Sequence, residues 1–268
     1  MHSRPINQAA GLMDLAIPEA PRLMAVVSHG DEQAELPMLW RLCSALVGFG
    51  YSVAVLDGSM DESPDNPGLE QMLDYSFWRG KDTDAPTWRI VPARMGLQSL
   101  MSQAQSNPKE LFDLSDLGRL FMHESVVLVY SDARTLSLML KGLGVKPLLA
   151  TSDTKSSLLT SYMALKRLLL NGQIEPTIAN VKSDAINANA RNDVNPGKGL
   201  VECAEQFLDF RVNAVTIALP STDDSPCVRV ERLALAMLEC AVPLHTHWSA
   251  ITGKASTSHV TDSTVRSH

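Results

Sequence analysis

Leu23-Met24-Ala25-Val26-Val27-Ser28-His29-Gly30-Asp31-Glu32-Gln33-Ala34-Glu35-Leu36 is the stretch on which the fold turns. Its first five residues are apolar without alternation, which predicts a short strand buried on both faces. Over residues 34–47 the period changes: Leu36, Leu39, Trp40, Cys43, Leu46 and Val47 recur at helical spacing, and Gly48 and Gly50 close that helix. Tyr51-Ser52-Val53-Ala54-Val55-Leu56 is a second strand, ending at Asp57. A glycine- and proline-containing loop over 58–68 follows.

The alternation continues outward. The pattern predicts a short helix at 70–75, a strand at 88–91, helices at 96–105 and 110–122, and a strand at 125–130 that ends at Ser131-Asp132. A strand at 146–150 leads to an amphipathic helix at 156–170, with Leu158, Leu159, Tyr162, Leu165, Leu168 and Leu169 toward the core. Strands at 176–181 and 212–219 and helices at 200–210 and 228–240 complete the series, with a long Asn- and Asp-rich loop at 183–197. Short apolar strands alternating with helices predict an α/β fold: a doubly wound, mainly parallel sheet with helices on both faces.

At 268 residues, 45% hydrophobic and 20% charged, the chain fits one large domain, expected over residues 22–245. Residues 1–21 read as a flexible leader with a short helix, in which Ile6, Ala9, Ala10, Leu12, Met13 and Ile17 are roughly helically spaced. Residues 246–268 read as a disordered tail, since they carry few large apolar side chains. A net charge of -7 and 5% aromatic residues argue against a nucleic-acid partner. No apolar run approaches the roughly 20 residues of a membrane span, and the tail has no apolar face to act as a membrane anchor. Cys43, Cys203, Cys227 and Cys240 are scattered, which predicts reduced, buried thiols and a cytoplasmic protein.

In an open α/β sheet, ligands bind at the carboxyl ends of the strands. The first strand-to-helix turn is therefore the place to look. A phosphate-binding turn needs glycines for close backbone approach, a lysine for charge and Ser or Thr for Mg²⁺. Residues 28–36 hold one glycine, no lysine and three carboxylates: Asp31, Glu32 and Glu35. Each carboxylate facing a triphosphate costs on the order of 1 kcal/mol or more when partly desolvated.

The order of elements over residues 22–245 resembles the MinD/ParA group of P-loop ATPases, and within it the FlhG-type flagellar-number regulators. Asn7-Gln8-Ala9-Ala10-Gly11-Leu12 is similar to the D-Q-A-x-x-L leader of that type. Residues 23–28 and 51–57 are similar to the group's first and second strands, and Ile178-Ala179-Asn180-Val181 to its "V-V-N" strand. The resemblance implies a K-G-G-x-G-K-[ST] turn, onto which Ser28, Gly30, Asp31, Glu32, Glu35 and Leu36 fall as a loop that has lost its phosphate chemistry. The phosphate lysine falls on Glu35 and the metal-binding threonine on Leu36. Asp57 and Asp132 remain as the metal-side carboxylates.

The expectation is thus a pseudo-ATPase: a regulator with no catalytic residues, no cofactor and no metal. It would act in flagellar biosynthesis by protein contacts. The partner implied is a signal-recognition-type flagellar GTPase, met by Gln8, Ala9, Leu12 and Met13 through a short docking helix. The alternative is a divergent MinD/ParA-type ATPase that binds ATP and Mg and dimerises on nucleotide. A second alternative is an unrelated α/β enzyme using the strand-end carboxylates. Asp57 and Asp132 have a plainer role open to them, capping a following helix or loop. His245-x-His247 lacks a third ligand for a metal. Ser28 and His29 are adjacent, so their side chains diverge, and no nucleophile elbow surrounds them.

Overall fold

The computed structural model describes residues 20–73, 88–105, 114–183, 196–219 and 227–244. The leader to residue 19, the tail from 245, Gln8, Ala9, Leu12, Met13, His245 and His247 lie outside them, as does most of the 183–197 loop. In chain order the elements are β1 (Arg22–Ser28), α1 (Glu32–Gly48), β2 (Val53–Asp57), α2 (Leu69–Leu73), β3 (Trp88–Pro92), α3 (Arg94–Gln105), α4 (Ser115–Leu120), β4 (Val126–Asp132) and α5 (Ala133–Met139). Then come β5 (Leu148–Thr151), α6 (Lys155–Arg167), a π-helical turn (Leu168–Gly172), β6 (Thr177–Ser183), α7 (Pro196–Leu208), β7 (Asn213–Leu219), α8 (Val228–Glu239) and β8 (Val242–Pro243).

The strands form an eight-stranded sheet in the order β3-β2-β4-β1-β5-β6-β7, with β8 beside β1. All neighbours are parallel except β8, which runs antiparallel to the start of β1. The predicted mainly parallel, doubly wound sheet is what the chain builds. Side chains of β1 alternate between two cores. Leu23, Ala25 and Val27 join a core covered by α2–α7, whereas Met24 and Val26 join one covered by α1 and α8.

Three details differ from the sequence reading. Helix α5 follows β4 directly where none was expected. Asp132 starts it by accepting N–H bonds from Arg134 (2.8 Å) and Thr135 (3.2 Å). Strand β8 is too short to carry a periodic signal. In α6, Leu159 is 61% exposed, while Ser157 and Ser161 are buried. The helix approaches β5 through small hydroxylic residues, and the Ser157 hydroxyl lies 2.9 Å from that of Thr151.

Strand order also locates the functional edge. β1 and β4 are neighbours, yet their following helices, α1 and α5, pack on opposite faces of the sheet. That divergence makes their carboxyl ends the switch point, the place where such sheets bind ligands.

Candidate functional site at the carboxyl edge

The register brings the expected strand-end residues together. Ser28 of β1 pairs with Asp132 of β4, and Asp57 of β2 pairs with Tyr130 of β4. The carboxylates are occupied locally. Asp57 Oδ1 accepts from the Ser59 N–H (2.8 Å) and hydroxyl (2.6 Å). Asp132, besides capping α5, accepts from the Thr135 hydroxyl at 2.7 Å.

Between them the backbones are close. A Cβ on Gly58 would sit 2.5 Å from Ser131 Oγ, so only glycine fits there. Arg94, at the start of α3, straps the loop after β2: Nη1 meets Asp61 at 2.8 Å and Nη2 donates to the Ser59 carbonyl.

The turn from β1 into α1 is only His29-Gly30-Asp31. Gly30 has φ +93°, in the left-handed region. This geometry turns the N–H groups of His29 and Asp31 toward one oxygen, Glu35 Oε1, at 2.9 and 2.8 Å. Glu35 Oε2 accepts from the Tyr130 hydroxyl at 2.5 Å. The Glu35 side chain is fully buried. Leu36, one residue on, is 46% exposed and faces away from this cluster's core. Glu32 and Gly30 are also exposed.

His29 is part of the same cluster. Its ring is almost wholly buried, and Nε2 lies 2.6 Å from the Ala150 carbonyl and 3.4 Å from Glu35 Oε1. A carbonyl only accepts, so Nε2 carries a proton. Nδ1 is 2.9 Å from the Thr160 hydroxyl. The ring thus bonds to β5 and α6 and makes no pair with Ser28.

The Asp31 carboxylate points the other way, accepting from the Ser152 N–H at 2.9 Å. Burial raises its pKa, but bonds from Ser157 and Ser152 and the nearby His29 outweigh this and hold it below the ordinary carboxylate value. Burial, and then the bond to Glu35, push the Tyr130 phenol upward, so it stays a donor. Sequence reasoning missed His29, Tyr130 and Thr160 as cluster members.

Elsewhere, a cavity of about 560 Å³ lies between α8 and the starts of β5–β7, lined among others by Lys146, Asn213, Arg229 and Arg232. Neither Asp57 nor Asp132 lines it. Among the described residues no group of three or more His, Cys, Asp or Glu could hold a metal ion. Nor is any described helix long and apolar enough to cross a membrane. Cys43 is buried, with its thiol pushed up to about 12, whereas Cys203, Cys227 and Cys240 are half-buried; all four are free.

Solved structures share this architecture. An ATP complex of a Cyanothece McdA variant superposes with a TM-score of 0.50 at 10% identity, over 83% of this chain and 96% of that one. A Borrelia burgdorferi plasmid partition protein bound to AMPPNP gives 0.50 at 10% identity, over 82% and 99%. The fold is that of the ParA/MinD-type P-loop ATPases. Cobyrinic acid a,c-diamide synthase from Mycobacterium smegmatis also matches, at TM-score 0.50 and 16% identity, over 86% and 96%. No protein-family model and no curated protein matches the chain.

These likenesses correct two expectations. Absence of a cofactor and absence of enzymatic activity were inferred from residue types in one turn. Chains of the same fold hold ATP or AMPPNP, and the strand order here sets the carboxyl ends of β1 and β4 side by side whatever residues line the turn. Neither expectation stands. The turn itself, in the form described, does not fit a phosphate group: its two converging N–H donors are committed to Glu35, and no lysine reaches them from residues 28–36.

Proposed function

We propose that the chain is a divergent ATPase of the ParA/MinD type that takes a nucleotide at the β1/β4 crevice and dimerises on binding it. The observation that carries the reading is the switch point itself. Ser28, Asp57 and Asp132 end adjacent strands beside the β1–α1 turn, with Tyr130 of β4 in register with Asp57. This favours a nucleotide crevice over an unrelated enzyme built on the two aspartates, since the 560 Å³ cavity involves neither of them.

Titration with Mg-ATP, read by calorimetry and by the thermal unfolding midpoint, tests it. At a tenfold excess over Kd the ligand stabilises by about 1.4 kcal/mol. For a domain of this size that is a rise of roughly 3–6 °C. Light scattering should show the mass increase with ATP. An unmoved midpoint with no heat, in both the natural chain and Glu35→Ala, would refute the proposal.

The biological setting we propose is flagellar biosynthesis, through contact of Gln8, Ala9, Leu12 and Met13 with a signal-recognition-type GTPase. Its support is the similarity of residues 7–12 to the FlhG-type leader. Deletion of residues 1–17 should abolish pull-down of that GTPase and leave the unfolding midpoint unchanged. Undiminished pull-down would remove the leader from the proposal.

A further inference from the structure

Glu35 is an acidic residue with no exposed surface, in the first turn of a helix beside the proposed site. Four groups surround its carboxylate. The His29 and Asp31 N–H groups reach Oε1 at 2.9 and 2.8 Å, the Tyr130 hydroxyl reaches Oε2 at 2.5 Å, and His29 Nε2 stands 3.4 Å from Oε1. Two N–H groups flanking a residue of positive φ and converging on one oxygen form a backbone nest, the concavity that elsewhere holds phosphate oxygens.

We infer that Glu35 is a built-in anion: its carboxylate fills the nest of the β1–α1 turn and latches it closed, so that an outside phosphate group enters only when Glu35 leaves.

A helix cap alone would need only the Asp31 N–H. Here the same side chain also ties the turn to β4 through Tyr130 and lies against the His29 ring, so the turn and β4 both close on one carboxylate. The segment carrying Glu35 is also separable from the rest of α1. Pro37 lies inside the helix two residues later. It has no N–H to bond the Gln33 carbonyl, and its ring crowds that carbonyl. The first turn is thereby joined to the body of the helix by one backbone bond fewer, a place where it can pivot and carry Glu35 out.

The latch deepens the proposed nucleotide reading and rests on it only for the identity of the incoming phosphate group. The test therefore uses two probes, inorganic phosphate and Mg-ATP, on the full chain and on Glu35→Ala and Glu35→Gln. Emptying the nest should lower the unfolding midpoint of Glu35→Ala, and inorganic phosphate should restore it saturably while leaving the natural chain unmoved. Both variants should bind Mg-ATP at least tenfold tighter than the natural chain.

Phosphate rescue without ATP binding by any of the three proteins supports the latch and refutes the nucleotide reading. Equal ATP affinity in all three supports the nucleotide reading and overturns the latch. Destabilisation of Glu35→Ala with no phosphate rescue and no gain in ATP affinity overturns the latch, leaving Glu35 a helix cap only. Should Glu35→Ala not fold, Glu35→Gln decides by the backbone amide signals of His29 and Asp31, which must move with phosphate; unmoved signals overturn the inference.

Discussion

Phe121→Ala should lower the unfolding free energy by about 3–5 kcal/mol, the range for removing a fully buried aromatic side chain. Phe121 is 1% exposed and closes the end of α4, where its N–H bonds the Leu117 carbonyl at 3.0 Å. It joins the core under α2–α7 together with Leu117 and Leu100. The Arg89 guanidinium, held by Glu124 at 2.9 Å, lies 5.7 Å from the ring centroid, so alanine also strips a cation of its aromatic face. Urea unfolding should show the midpoint falling with the slope unchanged. A loss below about 1 kcal/mol would mean that the α4 region collapses onto the gap and is not held as described.

Tyr130→Phe removes one hydroxyl, and its expected cost is about 1.5–3 kcal/mol because the bond lost is to a buried carboxylate. The ring stays where it is, in the core under α1 and α8. What changes is Glu35 Oε2, which loses the 2.5 Å donor that joins it to β4. A destabilisation within that range, measured by the same urea experiment, is the outcome expected from a bond that bears on Glu35. Stability equal to the natural chain would show that water replaces the phenol freely and that the cluster is not closed.

The sequence carried the fold further than the site. β1, β2 and β4 were legible because Met24–Val27, Val53–Leu56 and Val126–Val129 are unbroken apolar runs, and a strand buried on both faces has no other signature. Helix α5 was not legible: it spans seven residues, too few for a period, and its start depends on Asp132 as a cap. Leu159 was assigned to the core on spacing alone. The register of α6 is instead set by Ser157 and Ser161, whose small size lets the helix approach β5 closely.

At the site, Asp57 and Asp132 were found because strand ends can be counted. Their capping bonds to Ser59 and Thr135 needed coordinates. Glu35 was read as a charge repelling a phosphate. The folded chain gives that charge two N–H donors and a phenol, and charge counting does not reveal which groups face it. Tyr130 looked like one more β residue at the end of an apolar run. Only the parity of β4, which puts Val126, Leu128 and Tyr130 on the α1 side, brings it to Glu35.

A backbone amide map of the full chain through a titration with Mg-ATP shows directly whether nucleotide enters at the β1/β4 edge. Saturable shifts are expected, concentrated at His29, Gly30, Asp31 and Asp132, and larger in Glu35→Ala at equal ATP. Shifts confined to Lys146, Asn213, Arg229 and Arg232 around the α8 cavity, or no shifts in either protein, would contradict it.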